Sequence, residues 1–394
     1  MMASEPFEVA IPQSEISDLH DRLRRTRWSP EFANDDWIYG ANGNYLRDLV
    51  DYWIGEYDWR AQERLINEFD NYRTVIDGIP LHFIHEKGKG PDPIPIVLTH
   101  GWPWTFWDWN ALIRPLTDPA AFGGDPADAF DVIVPSLPGF AFSNPLSTTG
   151  VTPAVIASLW DRLLHEELGY DRYGAAGGDW GAAVTGLLGT DYGEHLVGIY
   201  LSTPPVFHVG GWEGLRNETY APEEAGWLEK SFEKLPTITS HVAVHSSDPQ
   251  TLAWALNDSP VGLAAWLLER RRSWSDCGGN LENSYSKDFL LTTVSLYWFT
   301  QSLGSSIRIY AEVFKSGSVG QQDVPPRIET PTGIGVYPEE VVLMPRKTVE
   351  RAANLIYWAV HPHGGHFAPA EVPDTYVDDL RSCFRTFRVP QSVS

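Results

Sequence analysis

Gly177-Gly178-Asp179-Trp180-Gly181 is the stretch on which the reading of this chain turns. It closes a short apolar run, Tyr173 to Gly177, and opens a helical pattern. Glycines on both sides of an acidic residue let a backbone turn sharply and leave the Asp179 carboxylate clear of the sheet. A phosphate-cradling dinucleotide loop would need G-x-G-x-x-G, but the residue two before Gly178 is Ala176, so that spacing fails. A purely structural turn is the plain alternative, and motifs elsewhere in the chain weigh against it.

Working outward, Ile94 to Leu98 and Phe130 to Val134 are short apolar runs that end in His100-Gly101 and Pro135, with a candidate helix over 110–116 between them. Residues 151–168 read as another helix. Short strands alternating with helices imply an α/β fold, a mostly parallel sheet flanked by helices. Residues 204–320 break that alternation. They are Trp-rich and helix-patterned, with one helix expected over 251–270, and read as a helical cap inserted into the core. Strands resume near 332–336 and 353–360, before a helix near 377–384. Upstream, helical spacing marks 14–25 and 45–53, and 72–85 reads as a hairpin turning at Asp77-Gly78. The expected organisation is an extension (1–90), a first core part (91–203), the cap (204–320) and a second core part (321–394).

The G-x-nucleophile-x-G form is the elbow of α/β-hydrolases, here with Asp in the nucleophile position. That substitution decides the chemistry. Serine attacking an alkyl carbon would leave an ether, which water does not readily cleave. A carboxylate leaves an ester, which water cleaves at the carbonyl. Asp179 therefore points to displacement at sp³ carbon, with epoxides and alkyl halides as the electrophiles. His100-Gly101-Trp102-Pro103 stands where a loop supplies one oxyanion-hole N–H, making Trp102 and Trp180 the donors by position. His363-Gly364-Gly365-His366-Phe367 follows the last strand. Among twelve histidines, His366 is preferred over His361 and His363 as water-activating base, because it follows the Gly-Gly turn. Two carboxylates, Glu339 and Glu340, are available to orient it.

Composition narrows the partners. The chain has 394 residues, 43% hydrophobic, with 52 acidic against 29 basic side chains and a formal charge of −23. That balance argues against nucleic acid or an anionic membrane surface and fits a neutral substrate. Two cysteines, Cys277 and Cys383, and no Cys/His ligand spacing give no disulfide framework and no expectation of a metal or other cofactor. No apolar stretch approaches the roughly 20 residues of a membrane span. Residues 1–6 lack a basic start and apolar core, so a cytoplasmic location is the expectation. Of 17 tryptophans, Trp102, Trp104, Trp107, Trp109 and Trp180 crowd the motifs. Trp104 and Trp107 are the candidates for lining a hydrophobic or aromatic substrate, although core packing would give the same pattern. No coiled-coil seam appears, and the sequence leaves a homo-oligomer open.

These residues name a family. Phe7 to Pro12, Tyr57 to Arg60, Ile79 to Phe83, His100 to Pro103, Pro135 to Phe140, Gly177 to Gly181, Leu256 to Leu263 and Gly364 to Ala368 are similar to motifs of the microsomal-type epoxide hydrolases. The resemblance covers nearly the whole chain. It implies an α/β-hydrolase with a helical cap and an N-terminal extension, turning an epoxide and water into a vicinal diol in detoxification or secondary metabolism. It implies Asp179 as nucleophile, His366 as base and Glu340, two residues after Pro338, as the acid behind it. The family also holds the epoxide oxygen with two cap tyrosines. Tyr310 matches the second; the first position falls on His241, and no tyrosine lies between Tyr220 and Tyr285. Trp104 and Thr105 also depart from the Gly-Ser usual after His-Gly-Trp-Pro. The alternatives are a haloalkane dehalogenase-like hydrolase, a family member whose epoxide activity is altered or lost through His241, and a non-catalytic binding protein on the same scaffold.

Overall fold

The apolar runs form strands because the chain gives them water-excluding neighbours on both faces. Every residue of Phe130–Pro135 and of Tyr173–Gly177 is buried, as parallel strands covered on both sides require. The computed structural model describes residues 4–209, 211–316 and 326–388. The expected boundary between residues 320 and 321, and Met1 to Ala3 of the N-terminal reading, lie outside the described residues.

In chain order the strands are β1 (Glu5–Pro6), β2 (Asn71–Ile76), β3 (Ile79–Glu86), β4 (Ile94–Thr99), β5 (Phe130–Pro135), β6 (Tyr173–Gly177), β7 (Leu196–Leu201), β8 (Ile328–Val336) and β9 (Ala353–Val360). Among the described residues they form one sheet, ordered β1-β2-β3-β5-β4-β6-β7-β8-β9. From β5 to β9 every pairing is parallel. After β4 the chain crosses to β5 on one side, then returns to lay β6 on the other. The carboxyl ends of β4 and β6 therefore flank a topological switch point, the place where open α/β sheets bind ligands. Gly101 and Asp179 follow those two ends.

The N-terminal residues extend this sheet. Asp77 and Gly78 adopt φ of 53° and 77°, the left-handed pair a tight hairpin needs, and β3 then pairs antiparallel with β5. Helices Gln13–Arg24, Gly43–Gly55 and Trp59–Ile66 lie against the cap. The Tyr52 hydroxyl donates to Asp288 at 2.9 Å, Tyr57 and Thr292 hydroxyls meet at 3.1 Å, and Arg22 pairs with Asp258 at 2.6 Å.

The cap carries helices Trp227–Ser247, Pro249–Leu256, Pro260–Trp274, Lys287–Phe299 and Arg308–Lys315. The single helix expected over 251–270 is two helices. Pro260 pushes Ser259 into extended backbone, and the Ser259 hydroxyl caps the next helix by accepting the Gly262 N–H at 3.0 Å. Strand β7 and helix Trp59–Ile66 carried too short a pattern to be read. No described helix is long and apolar enough to cross a membrane.

Cap and core are joined by a buried ion pair. Arg271, on helix Pro260–Trp274, donates to Asp108 at 2.6 Å, and both side chains are almost wholly buried. The other Asp108 oxygen accepts the Thr105 N–H at 2.9 Å. Replacing Asp108 with Ala leaves an uncompensated buried guanidinium. A loss of about 3–5 kcal/mol is expected, seen as a lower urea midpoint. An unchanged midpoint would refute this account of the cap–core joint.

Candidate active site

Asp179 sits between β6 and helix Trp180–Asp191 with φ 53° and ψ −127°, a strained conformation for a residue with a Cβ. The turn is tight enough that a Cβ on Gly181 would come within 2.0 Å of the Thr99 carbonyl oxygen. The strain aims the carboxylate into the space above β4 and β6. There its Oδ1 accepts the Trp102 N–H at 2.8 Å, and the Trp180 N–H also holds the carboxylate. The loop bearing Trp102 is fixed by His100, whose Nδ1 donates to the Gly101 carbonyl at 2.9 Å while Nε2 accepts the Leu137 N–H at 3.1 Å. Burial pushes His100 down to about 4 and keeps it neutral.

The second Asp179 oxygen faces His366. Nε2 of His366 lies 3.2 Å from Oδ2, and Nδ1 lies 2.6 Å from Glu340 Oε1. Glu340 Oε2 in turn accepts the Thr203 hydroxyl at 2.8 Å, and Thr203 Oγ1 accepts the Asp179 N–H at 3.0 Å, which closes a ring of hydrogen bonds. Glu339 points elsewhere, to Lys230 and Lys234 on the cap at 2.6 and 2.8 Å. His361 pairs with Asp379 at 2.6 Å, and His363 is exposed.

The electrostatics follow from this arrangement. Burial acts to lower His366, but Glu340 and Asp179 outweigh it and raise the imidazole to about 10, so both nitrogens donate at neutral pH. Burial acts to raise Asp179, but the His366 contact and the Trp102 and Trp180 N–H groups hold it below the usual carboxylate range. The cluster is thus an imidazolium between two carboxylates.

Across from Asp179 the cap contributes aromatic rings. Tyr310 is buried edge-on to Trp180 at 4.8 Å and to Trp102 at 6.1 Å. Burial and the Asp179 charge raise it well above the ordinary phenol value. His241 stacks on Trp102 at 5.0 Å, and its Nε2 lies 3.2 Å from the Tyr310 hydroxyl. Burial, with the Arg270 cation adding to it, pushes His241 down to about 3, so it is a neutral imidazole. Trp104 is fully buried, its ring edge-on to His366 at 5.7 Å. Trp107 is not gathered here: its ring contacts are Phe69 and Phe106, on the side of the N-terminal helices.

Three residues escaped the sequence reading. Trp274 packs edge-on to His366 at 5.2 Å. His245 lies 4.5 Å from the Trp102 ring, and its four-residue spacing from His241 on helix Trp227–Ser247 was a legible signal that both share a face. Thr203 had no signal, because it follows the unread strand β7. The Asp179 side chain is only 19% exposed. A groove of about 1170 Å³ lies elsewhere, between N-terminal helices and cap, lined by residues such as Trp28, Arg47 and Val261. Among the described residues no cluster of His, Cys, Asp or Glu is arranged to hold a metal ion.

An elbow carboxylate, an imidazole backed by a second carboxylate, and a helical cap over a parallel sheet define an α/β-hydrolase. The comparisons agree: residues 4–109 match the "Epoxide hydrolase N terminus" family and residues 94–260 the "alpha/beta hydrolase fold" family. The chain is 41% identical over 97% of its length to a protein named "Putative epoxide hydrolase" from Stigmatella aurantiaca, covering 85% of that protein. It is 33% identical to epoxide hydrolase 1 of Oryctolagus cuniculus, over 95% of this chain and 87% of that one. The crystal structure of Bombyx mori juvenile hormone epoxide hydrolase superposes with a TM-score of 0.87 at 26% identity, covering 98% of this chain and 95% of that one. The chain belongs to the epoxide hydrolase family.

The raised His366 predicts a pH dependence of stability. A group whose value rises on folding stabilises fully below its unfolded value, near 6.5, and that contribution is lost as pH climbs through about 10. The melting temperature of the parent minus that of His366→Gln should therefore be largest at mildly acidic pH and shrink steadily towards pH 10. A pH-independent difference would contradict the imidazolium assignment.

Proposed function

We propose that this enzyme hydrolyses an apolar epoxide to a vicinal diol through an ester on Asp179. The observation that carries the reading is the His366 contact with both Asp179 and Glu340, with Tyr310 facing it from the cap. In the first step Asp179 attacks an epoxide carbon from behind, the C–O bond breaks, and the alkoxide takes the Tyr310 proton. Esterification removes the Asp179 charge, and with it one of the two anions that hold His366 protonated. His366 can then return a proton to Tyr310 and become a base. In the second step His366, oriented by Glu340, takes a proton from water as its oxygen adds to the ester carbonyl. The oxyanion that forms is the Asp179 oxygen already facing the Trp102 and Trp180 N–H groups. Collapse expels the diol oxygen, which takes the proton of the newly added hydroxyl, and restores the carboxylate and imidazolium. Trp102, Trp104, Trp180, Trp274 and Phe367 supply the ring-lined surroundings that favour an apolar substrate.

The decisive experiment is intact mass of His366→Ala after exposure to styrene oxide. A stable gain of one whole epoxide is expected, and it should vanish when Asp179→Ala is added. A primary bromoalkane giving an alkyl adduct while styrene oxide gives none would move the activity to dehalogenation. No adduct from either would overturn the Asp179 reading.

His241 has a narrower part here. Being neutral, it is not the proton source; it holds the phenol oxygen of Tyr310 in line. In His241→Phe the stack on Trp102 survives while the 3.2 Å contact is lost. The alkylation step should slow by about 10- to 100-fold with KM little changed. Equal loss in binding would assign His241 to substrate shape instead.

A further inference from the structure

The His366 loop does not hold itself in place. Besides the Glu339 N–H, which donates to the Gly364 carbonyl at 3.0 Å from within the core, its backbone is tied to one short piece of the cap, residues 274–276, which leaves the end of helix Pro260–Trp274. The His366 N–H donates to the Trp274 carbonyl at 2.9 Å, and the Gly364 N–H donates to Asp276 Oδ2 at 3.0 Å. Between them stands Glu371. One of its oxygens accepts the Asp276 N–H at 2.6 Å, and the other accepts the Phe367 N–H at 2.9 Å. A single carboxylate therefore bridges cap backbone and core backbone, one residue away from the base. The approach is close: a Cβ on Gly365 would lie 2.6 Å from the Trp274 carbonyl oxygen and 3.0 Å from the Asp276 nitrogen. Trp274 reinforces the joint, with its ring edge-on to His366 and stacked on Phe367.

Two backbone donors need two acceptor oxygens, and a carboxyl group supplies both; burial raises Glu371 to about 7, against the Asp276 and Phe367 N–H groups and the Arg271 and His366 cations, which favour its ionised form. The alkylation step needs no aim from this joint: Asp179 and Tyr310 lie on the elbow and on helix Arg308–Lys315, and the Trp102 and Trp180 N–H groups hold Asp179 ionised alongside His366. The hydrolytic step does use it, since His366 must aim at a water and errors of about 1 Å can cost about 100-fold in rate.

We propose that Glu371 is a positioning residue for the second half-reaction: it clamps the His366 loop to residues 274–276 of the cap, so that ester hydrolysis depends on this cap–core joint while ester formation does not. This rests on the Asp179 ester reading above. In Glu371→Gln one oxygen becomes an NH2 group that faces a backbone N–H, so one arm of the clamp opens while size and shape are kept.

The test is rapid-quench intact mass of the full chain with styrene oxide, alongside steady-state diol formation. In Glu371→Gln the rate of ester formation should stay near that of the parent, while ester hydrolysis falls by about 10- to 100-fold. Enzyme carrying one epoxide then accumulates during turnover. Gly365→Ala, which pushes loop and cap apart with Glu371 intact, should accumulate the same species and serves if Glu371→Gln fails to fold. Unchanged hydrolysis in a folded Glu371→Gln overturns the proposal, as does an equal fall in both steps, which marks a merely structural role. A missing adduct in His366→Ala identifies failure of the ester reading itself, separately from the clamp.

Discussion

The site depends on one electrostatic arrangement, an imidazolium buried between two carboxylates. His366 is about as buried as any core residue, yet it keeps its proton because Glu340 lies 2.6 Å from one nitrogen and Asp179 3.2 Å from the other. Burying any one of these three charges alone would be costly. Together they stabilise one another, and two further supports keep the geometry. The Trp102 N–H engages Asp179, and the Thr203 hydroxyl joins Glu340 to the elbow backbone. The same arrangement provides a means of switching the base. Any chemistry that neutralises Asp179 withdraws one of the two carboxylates that hold the proton on His366, so in the proposed mechanism the nucleophilic step prepares the hydrolytic one without a conformational change.

That cluster needs a dry, rigid roof, which explains how much of the chain is spent on the cap and on what lies above it. The buried Arg271–Asp108 pair and the contacts at residues 274–276 fasten the cap to the core on the side of His366. The N-terminal helices press on the cap from outside through Tyr52, Tyr57 and Arg22. Because the N-terminal hairpin is part of the core sheet, core, N-terminal helices and cap brace one another.

The sequence was most legible where local chemistry dictates structure. The elbow glycines, the Asp77-Gly78 turn, and the apolar runs of β4, β5 and β6 each have a steric or burial reason that needs no distant partner. The order of motifs was enough to bring Asp179, His366 and Trp102 to one place, and the family resemblance added Tyr310. What could not be read depends on tertiary contacts. Helix Trp59–Ile66 spans two turns and is held by packing, and β7 is six residues whose alternation is hidden by burial on both faces. The break at Pro260 has a local signal, a proline after a capping serine, within the stretch whose spacing predicts one helix. Trp107 shows the limit of proximity in sequence: it lies three residues from Trp104, yet the short helix Phe106–Trp109 turns it away from His366 and towards Phe69.

The cap position held by His241 shows how a substitution reads differently once its surroundings are known. From sequence alone, histidine in place of a phenol suggested an imidazolium acid, a neutral hydrogen-bond donor, or an altered or lost activity. The enclosure removes the imidazolium, because Trp102, Trp274, His245 and Tyr310 pack around the ring, and this burial, with the Arg270 cation, outweighs the Asp179 charge. A neutral imidazole beside a phenol can still act, since it fixes where the phenol oxygen sits and therefore where its proton points. On this reading the oxygen of the opening ring has one acid, Tyr310, and a fixed orientation in place of two acids. Under the proposed mechanism, the substrates that gain most are those whose ring opens with little demand for protonation. Those are epoxides in which the breaking carbon–oxygen bond leaves positive charge on a carbon that an adjacent aromatic group can stabilise, and the surrounding indole rings favour the same substrates.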